Sequence, residues 1–184
     1  SEMCIRDSWL PTHATTKMML RDPSNLDTKQ IAKLPAEQVH LRHLKYLLGI
    51  NRRSCNVTAW GETGKFPLFI KGIGLCLKYF KRIISLDQSS LVRAAMNEQI
   101  QLELSWYNQV KQIILSFGDV QPAQFLRNSS KLLNATFLAE ACNVDVVTKN
   151  LERGFTRSWT ESIKSSSKLE FYASVKSEFL WENY

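Results

Sequence analysis

Glycine and proline are scarce in this 184-residue chain, 7 and 5 residues respectively, and that scarcity favours helix-rich architecture over loops and turns. Cysteine is scarcer still. The four thiols, Cys4, Cys55, Cys76 and Cys142, are widely scattered and share no Cys-x-x-Cys spacing. They exclude a disulfide framework and read as reduced intracellular cysteines. Long apolar runs are missing too. The best membrane candidate, residues 66–86, is interrupted by Lys71, Lys78, Lys81 and Arg82, and falls short of the roughly 18–20 apolar residues a span needs. No signal peptide stands out. A soluble, intracellular protein without membrane contact is expected. An apolar share of 44% with 22% charged residues argues against wholesale disorder.

Acid is nearly absent from one stretch. Residues 42–82 carry nine Lys or Arg against Glu62 alone, a balance of +8 in a chain whose total is +7. The basic character therefore belongs to Arg42, Lys45, Arg52, Arg53, Lys65, Lys71, Lys78, Lys81 and Arg82. Like charges at this density repel unless an anion is present, so the block is the footprint expected of something that meets phosphates. Aromatics lie among the charges. Tyr46 and Trp60 are the preferred exposed candidates for stacking on bases, at about 1–3 kcal/mol each, whereas Phe80 keeps core spacing.

Hydrophobic periodicity gives helices throughout. Leu41, Leu44, Leu47 and Leu48 fall on one stripe of a helix beginning near Ala36, and Gly49 is a natural stop. Pro67 suits the first turn of the next helix, whose inner face reads Ile70, Ile73, Leu77, Phe80 and Ile84. Lys71, Lys78 and Arg82 occupy a neighbouring stripe at i, i+7 and i+11. Ser89 or Ser90 caps a further helix that either runs on or breaks near Leu104-Ser105, before a segment ended by Gly118. Residues 128–142 place Leu132, Leu133, Thr136 and Phe137 on one face. Val147, Leu151, Phe155, Trp159 and Ile163 recur every four residues, the strongest amphipathic run present. Leu169, Tyr172, Val175 and Phe179 suggest a last helix. No period-2 run exceeds four residues. The expectation is an all-α fold, an irregular bundle of about six to seven helices. Residues 1–8 resemble a translated sequencing adapter, 9–35 form a loose or partly helical lead-in, and 36–184 form one helical domain with a basic half (36–86) and a neutral half (87–184).

Chemistry finds little support. Acidic residues are spread singly: Asp145, Glu152 and Glu161 interleave with Lys149, Arg153 and Arg157 as solvated surface pairs would. His40 and His43, at i, i+3, could face one metal, but no Cys₂His₂-type pattern accompanies them, so one surface and one core-edge histidine is the plainer reading. Gly61-Glu-Thr-Gly64-Lys65 is too short for a P-loop. It spells the Gly-x-x-Gly of a nucleotide-clamping loop, but without the βααβ setting of that loop. A close-packing turn with Gly64 at positive φ is the simpler account. No catalytic residue, metal ligand or cofactor is assigned.

Several stretches carry a family likeness: His40-Leu-Arg42, Lys45-Tyr-Leu-Leu-Gly49, Gly61-Glu62 with Gly64-Lys-Phe-Pro-Leu68, Trp106 with Ile113, Leu115 and Gly118, and Ser166-Ser-Lys-Leu-Glu-Phe-Tyr172 with Lys176 and Phe179. From about residue 30 onward the chain resembles the segment beyond the polymerase domain in the reverse transcriptase polyproteins of animal non-LTR retrotransposons. The aromatic-Ala-Asp-Asp signature of the polymerase site itself is absent, as is a Cys-His zinc knuckle. The resemblance implies a non-catalytic, nucleic-acid-binding accessory region of an RNA-directed DNA polymerase, with RNA or DNA backbone and the upstream polymerase domain as partners. Arg42, Lys45, Arg52, Arg53, Trp60, Lys65, Lys71, Lys78 and Arg82 would make the nucleic-acid contacts. A structural scaffold on the polymerase thumb, or a functionless remnant, is the alternative.

Overall fold

The structure is a computed structural model that describes residues 26–120, 130–176 and 178–180. Among these residues it is all-α, with nine α-helices, a 3₁₀ turn and no strand. The helices are α1 (Thr28–Ile31), α2 (Pro35–Leu47), α3 (Asn56–Thr63), α4 (Leu68–Ser85), α5 (Leu91–Gln101), α6 (Ser105–Phe117), α7 (Lys131–Ala141), α8 (Val144–Lys164) and α9 (Glu170–Val175). The excess over six or seven comes from short pieces: α1 has 4 residues and α9 has 6. The adapter-like leader 1–8 and residues 9–25 of the lead-in lie outside the described residues.

The described part of the lead-in is partly helical, one of the two forms expected of it. Asp27 caps α1 by accepting from the backbone N–H of Lys29 at 2.8 Å, and Leu26 and Ile31 are fully buried. Among the described residues two compact units form, one from 26–70 with the described part of 151–180, the other from the described part of 71–150. The boundaries fall within α4 and α8.

The first unit is organised by aromatic rings. Trp60 meets Phe155 edge-on at 5.3 Å between centroids, and Phe179 lies 5.6 Å from Phe155 and 5.2 Å from Trp159. Each such pair adds about 0.5–1.5 kcal/mol beyond area burial. The polar ends of the rings are satisfied as well: Trp159 Nε1 donates to the Val57 carbonyl at 2.9 Å, and Tyr172 Oη to Glu62 Oε1 at 2.7 Å. Gly61 is where α3 comes closest to this cluster. A Cβ there would sit 2.6 Å from Trp159 Cζ2 and 2.7 Å from Tyr172 Oη. Gly64 then ends α3 at φ +57°, the positive φ expected of that turn.

In the second unit Ile73, Leu77, Phe80 and Ile83 of α4 are buried, as are Tyr107, Val110, Ile113, Ile114 and Phe117 of α6, and the Phe80 ring lies 6.3 Å between centroids from both Trp106 and Tyr107. Ile83 takes the place expected of Ile84, one residue around the same turn. The inner face of α7 also differs from expectation. Ala135, Leu138 and Ala139 are buried, while Leu133 is exposed. α7 packs against α5, and its buried face, with two alanines beside Leu138, is one that lets helix backbones approach closely. Two side chains close helix ends: Lys81 Nζ donates to the Cys142 carbonyl at 2.7 Å, and Asn150 Nδ2 to the Phe117 carbonyl at 2.8 Å.

Candidate nucleic-acid interface

A buried carboxylate positions the start of the basic block. Glu37 on α2 is 1% exposed, yet no Lys or Arg pairs with it among the described residues. Its Oε1 accepts from His40 Nδ1 at 2.7 Å and Trp60 Nε1 at 3.1 Å, and its Oε2 accepts from the Leu68 N–H at 2.8 Å. That last bond places a negative group at the N-terminus of α4, where the helix dipole favours it. One side chain thus ties together α2, α3 and α4. It also settles two expectations. Trp60 is not an exposed stacking residue: it is 0% exposed, with its indole N–H engaged inside the core. Its neighbours Ala59 and Gly61 are buried too, because α3 turns this face toward Phe155. His40 lies at the core edge on Glu37 and His43 is exposed, and no group of three or more His, Cys, Asp or Glu among the described residues could hold a metal ion.

Lys45 is the second correction. Expected to meet phosphate, its ammonium is instead buried under the 51–55 loop. It donates to the Arg52 carbonyl at 3.0 Å, the Ser54 carbonyl at 2.6 Å and Asn56 Oδ1 at 2.7 Å. Burial holds the ammonium below the usual lysine value, and its electrostatic interaction with Cys55 opposes that shift. What Lys45 does is hold the loop in place, and the loop then presents Arg52 and Arg53 to solvent. Asn51 helps by accepting the Arg53 N–H on its Oδ1 at 2.8 Å. Lys81, on its helix-closing bond, is likewise turned inward.

The other basic residues project outward. Arg42, Arg52, Arg53 and Lys65 are exposed in the first unit; Lys71, Lys78 and Arg82 are exposed in the second. None of the seven takes part in an ion pair within the described residues. Two groups are recognisable. Lys71, Lys78 and Arg82 run along one stripe of α4, with exposed Leu75 and Tyr79 beside them. Arg42 and Arg52 line two neighbouring hollows, of about 400 Å³ and about 260 Å³. The larger is completed by Val39, His43, Tyr46 and Ile50.

Residue counting overlooked Val39, His43 and Ile50. A signal existed for the first two, since Val39, His43 and Tyr46 recur at i, i+4 and i+7 on the side of α2 away from Leu41 and Leu44. Tyr46 is 81% exposed, as expected of a stacking residue. No helix among the described residues is long and apolar enough to cross a membrane. Comparison with protein-family models, with curated proteins and with solved structures finds no match to this chain.

Proposed function

We propose that the chain is a non-catalytic nucleic-acid-binding region, acting inside the cell beside the polymerase domain of a non-LTR retrotransposon reverse transcriptase. The observation that carries this reading is the set of seven exposed Lys and Arg side chains between residues 42 and 82 with no carboxylate partner among the described residues. Unpaired surface cations on fixed helices and an anchored loop suit phosphate oxygens, contacts that position a strand without reading its sequence. The residue-level likeness of 40–49, 61–68 and 166–172 to the post-polymerase segment supports the same parentage.

If five or six of these side chains act, log affinity for an oligonucleotide falls against log salt with a slope of about −4 to −5. Fluorescence anisotropy across a salt series measures it. The double variant Arg52→Glu plus Arg53→Glu leaves the loop anchor in place, because Lys45 holds the Arg52 carbonyl and not its side chain. A salt-independent affinity, or one unchanged in that double variant, refutes the reading. Exposed Leu91, Leu102 and Leu133 favour a second role, packing against the upstream polymerase domain. That role requires the isolated chain to bind an apolar dye or self-associate, with both lost when the polymerase domain is added.

A further inference from the structure

We infer that the hollow between α2 and the 50–52 loop takes one unstacked base of a single strand, with Tyr46 as its stacking platform. Arg42 and Arg52 would then hold the backbone phosphates on either side. This rests on the nucleic-acid reading above and narrows it to a substrate class.

Three observations carry it. Tyr46 offers an almost free ring face, with no ring contact or side-chain hydrogen bond among the described residues. The hollow of about 400 Å³ is walled by the apolar side chains of Val39 and Ile50 on one hand and by Arg42, His43 and Arg52 on the other. That mixture of a flat apolar floor and few polar groups is what a small planar ligand needs. Arg42 and Arg52 border both hollows, so the cations sit where a strand passing from one to the other would bring its phosphates. The exposed ring also favours single strand over duplex. Elements that read a duplex are convex and enter a groove, whereas a ring face beside an open hollow offers a stacking surface, on which only a base already out of the stack can lie. Loop rigidity helps: the Lys45 bonds hold Arg52 at the rim before any ligand arrives, so less ordering is required on binding.

The test uses the full chain and labelled 12-nucleotide probes: single-stranded RNA, single-stranded DNA, the same sequences as duplex, and an abasic strand. Tyr46→Ala should weaken single-strand binding about 5- to 100-fold and leave abasic and duplex binding unchanged. Tyr46→Phe, which keeps the ring face, should restore single-strand affinity. Wild-type RNA and DNA affinities tell which sugar the site accepts. Should Tyr46→Ala be neutral while wild type binds duplex as well as single strand, the base pocket is wrong and the broader reading stands. No binding to any probe, or displacement by polyglutamate as effective as by oligonucleotide, overturns both. Tyr46 lies at the surface, so an unchanged thermal melt separates lost contact from lost fold.

Discussion

Removing the Glu37 carboxylate tests the account of the first unit most directly. In Glu37→Ala, three donors lose their acceptor. His40 is at the core edge and turns to water, but Trp60 is 0% exposed and its indole N–H has no other partner among the described residues. The Leu68 N–H, at the first turn of α4, is orphaned as well. A buried unsatisfied donor costs about 1–3 kcal/mol, and loss of a negative group from a helix N-terminus adds about 0.3–1 kcal/mol. The sum is about 2–7 kcal/mol, a large fraction of the about 5–15 kcal/mol that holds an ordinary domain together. Glu37→Gln keeps one carbonyl oxygen and sets its amide N–H against one remaining donor, so it costs about 1–3 kcal/mol. Urea melts followed by helical circular dichroism and tryptophan emission give both numbers. The expected order is wild type above Gln above Ala. A loss under about 1 kcal/mol for Ala refutes the reasoning, because the donors would then be reaching water.

Two further outcomes follow from the packing and the thiols. Gly61→Ala places a methyl 2.6 Å from Trp159 Cζ2 and should lower the urea midpoint by about 1–3 kcal/mol of stability, while Gly72→Ala, whose methyl meets nothing within 4 Å inside α4, should leave stability unchanged or raise it by up to about 1 kcal/mol. Burial pushes the Cys76 thiol up to about 12 against the opposing hydrogen bond of Trp106, so at pH 8.5 iodoacetamide should label exposed Cys55 at least about tenfold faster than Cys76, as peptide mapping by mass spectrometry will read. The folded chain keeps a proton on Cys76 that the unfolded chain releases above about 9, so this thiol makes stability fall as pH rises from about 9 toward 12, and Cys76→Ala should flatten that decline.

Helix periodicity was legible because it is local. Val147, Leu151, Phe155, Trp159 and Ile163 are all buried, as an unbroken four-residue rhythm demands of a helix with one inner face. Leu41 and Leu44 of α2 follow the same rule, though Leu47, at the last turn, is exposed. Where the outcome depended on a partner, local pattern was a poor guide. In α7, Ala135, Leu138 and Ala139 are buried and Leu133 is exposed, an inner face set by the helix's neighbours. Trp60 has a polar edge that suits a wet surface, and only the distant Glu37 makes the interior acceptable to it. The basic block shows the same limit: Lys45 and Lys81 count as surface charge in any composition, yet carbonyls up to 61 residues away draw both inward. The side chains left over were the outward ones, and Tyr46 among them was readable from its place on the polar side of α2.

Lys45 also fixes what its own position will tolerate. Its single ammonium meets three oxygens that converge from different directions, a geometry suited to a compact point charge and ill matched to a planar fork. An arginine there would preserve every tally of charge and still prise the turn away from the end of α2. Conservative exchange at this site is a matter of shape, and electrostatic equivalence gives no protection.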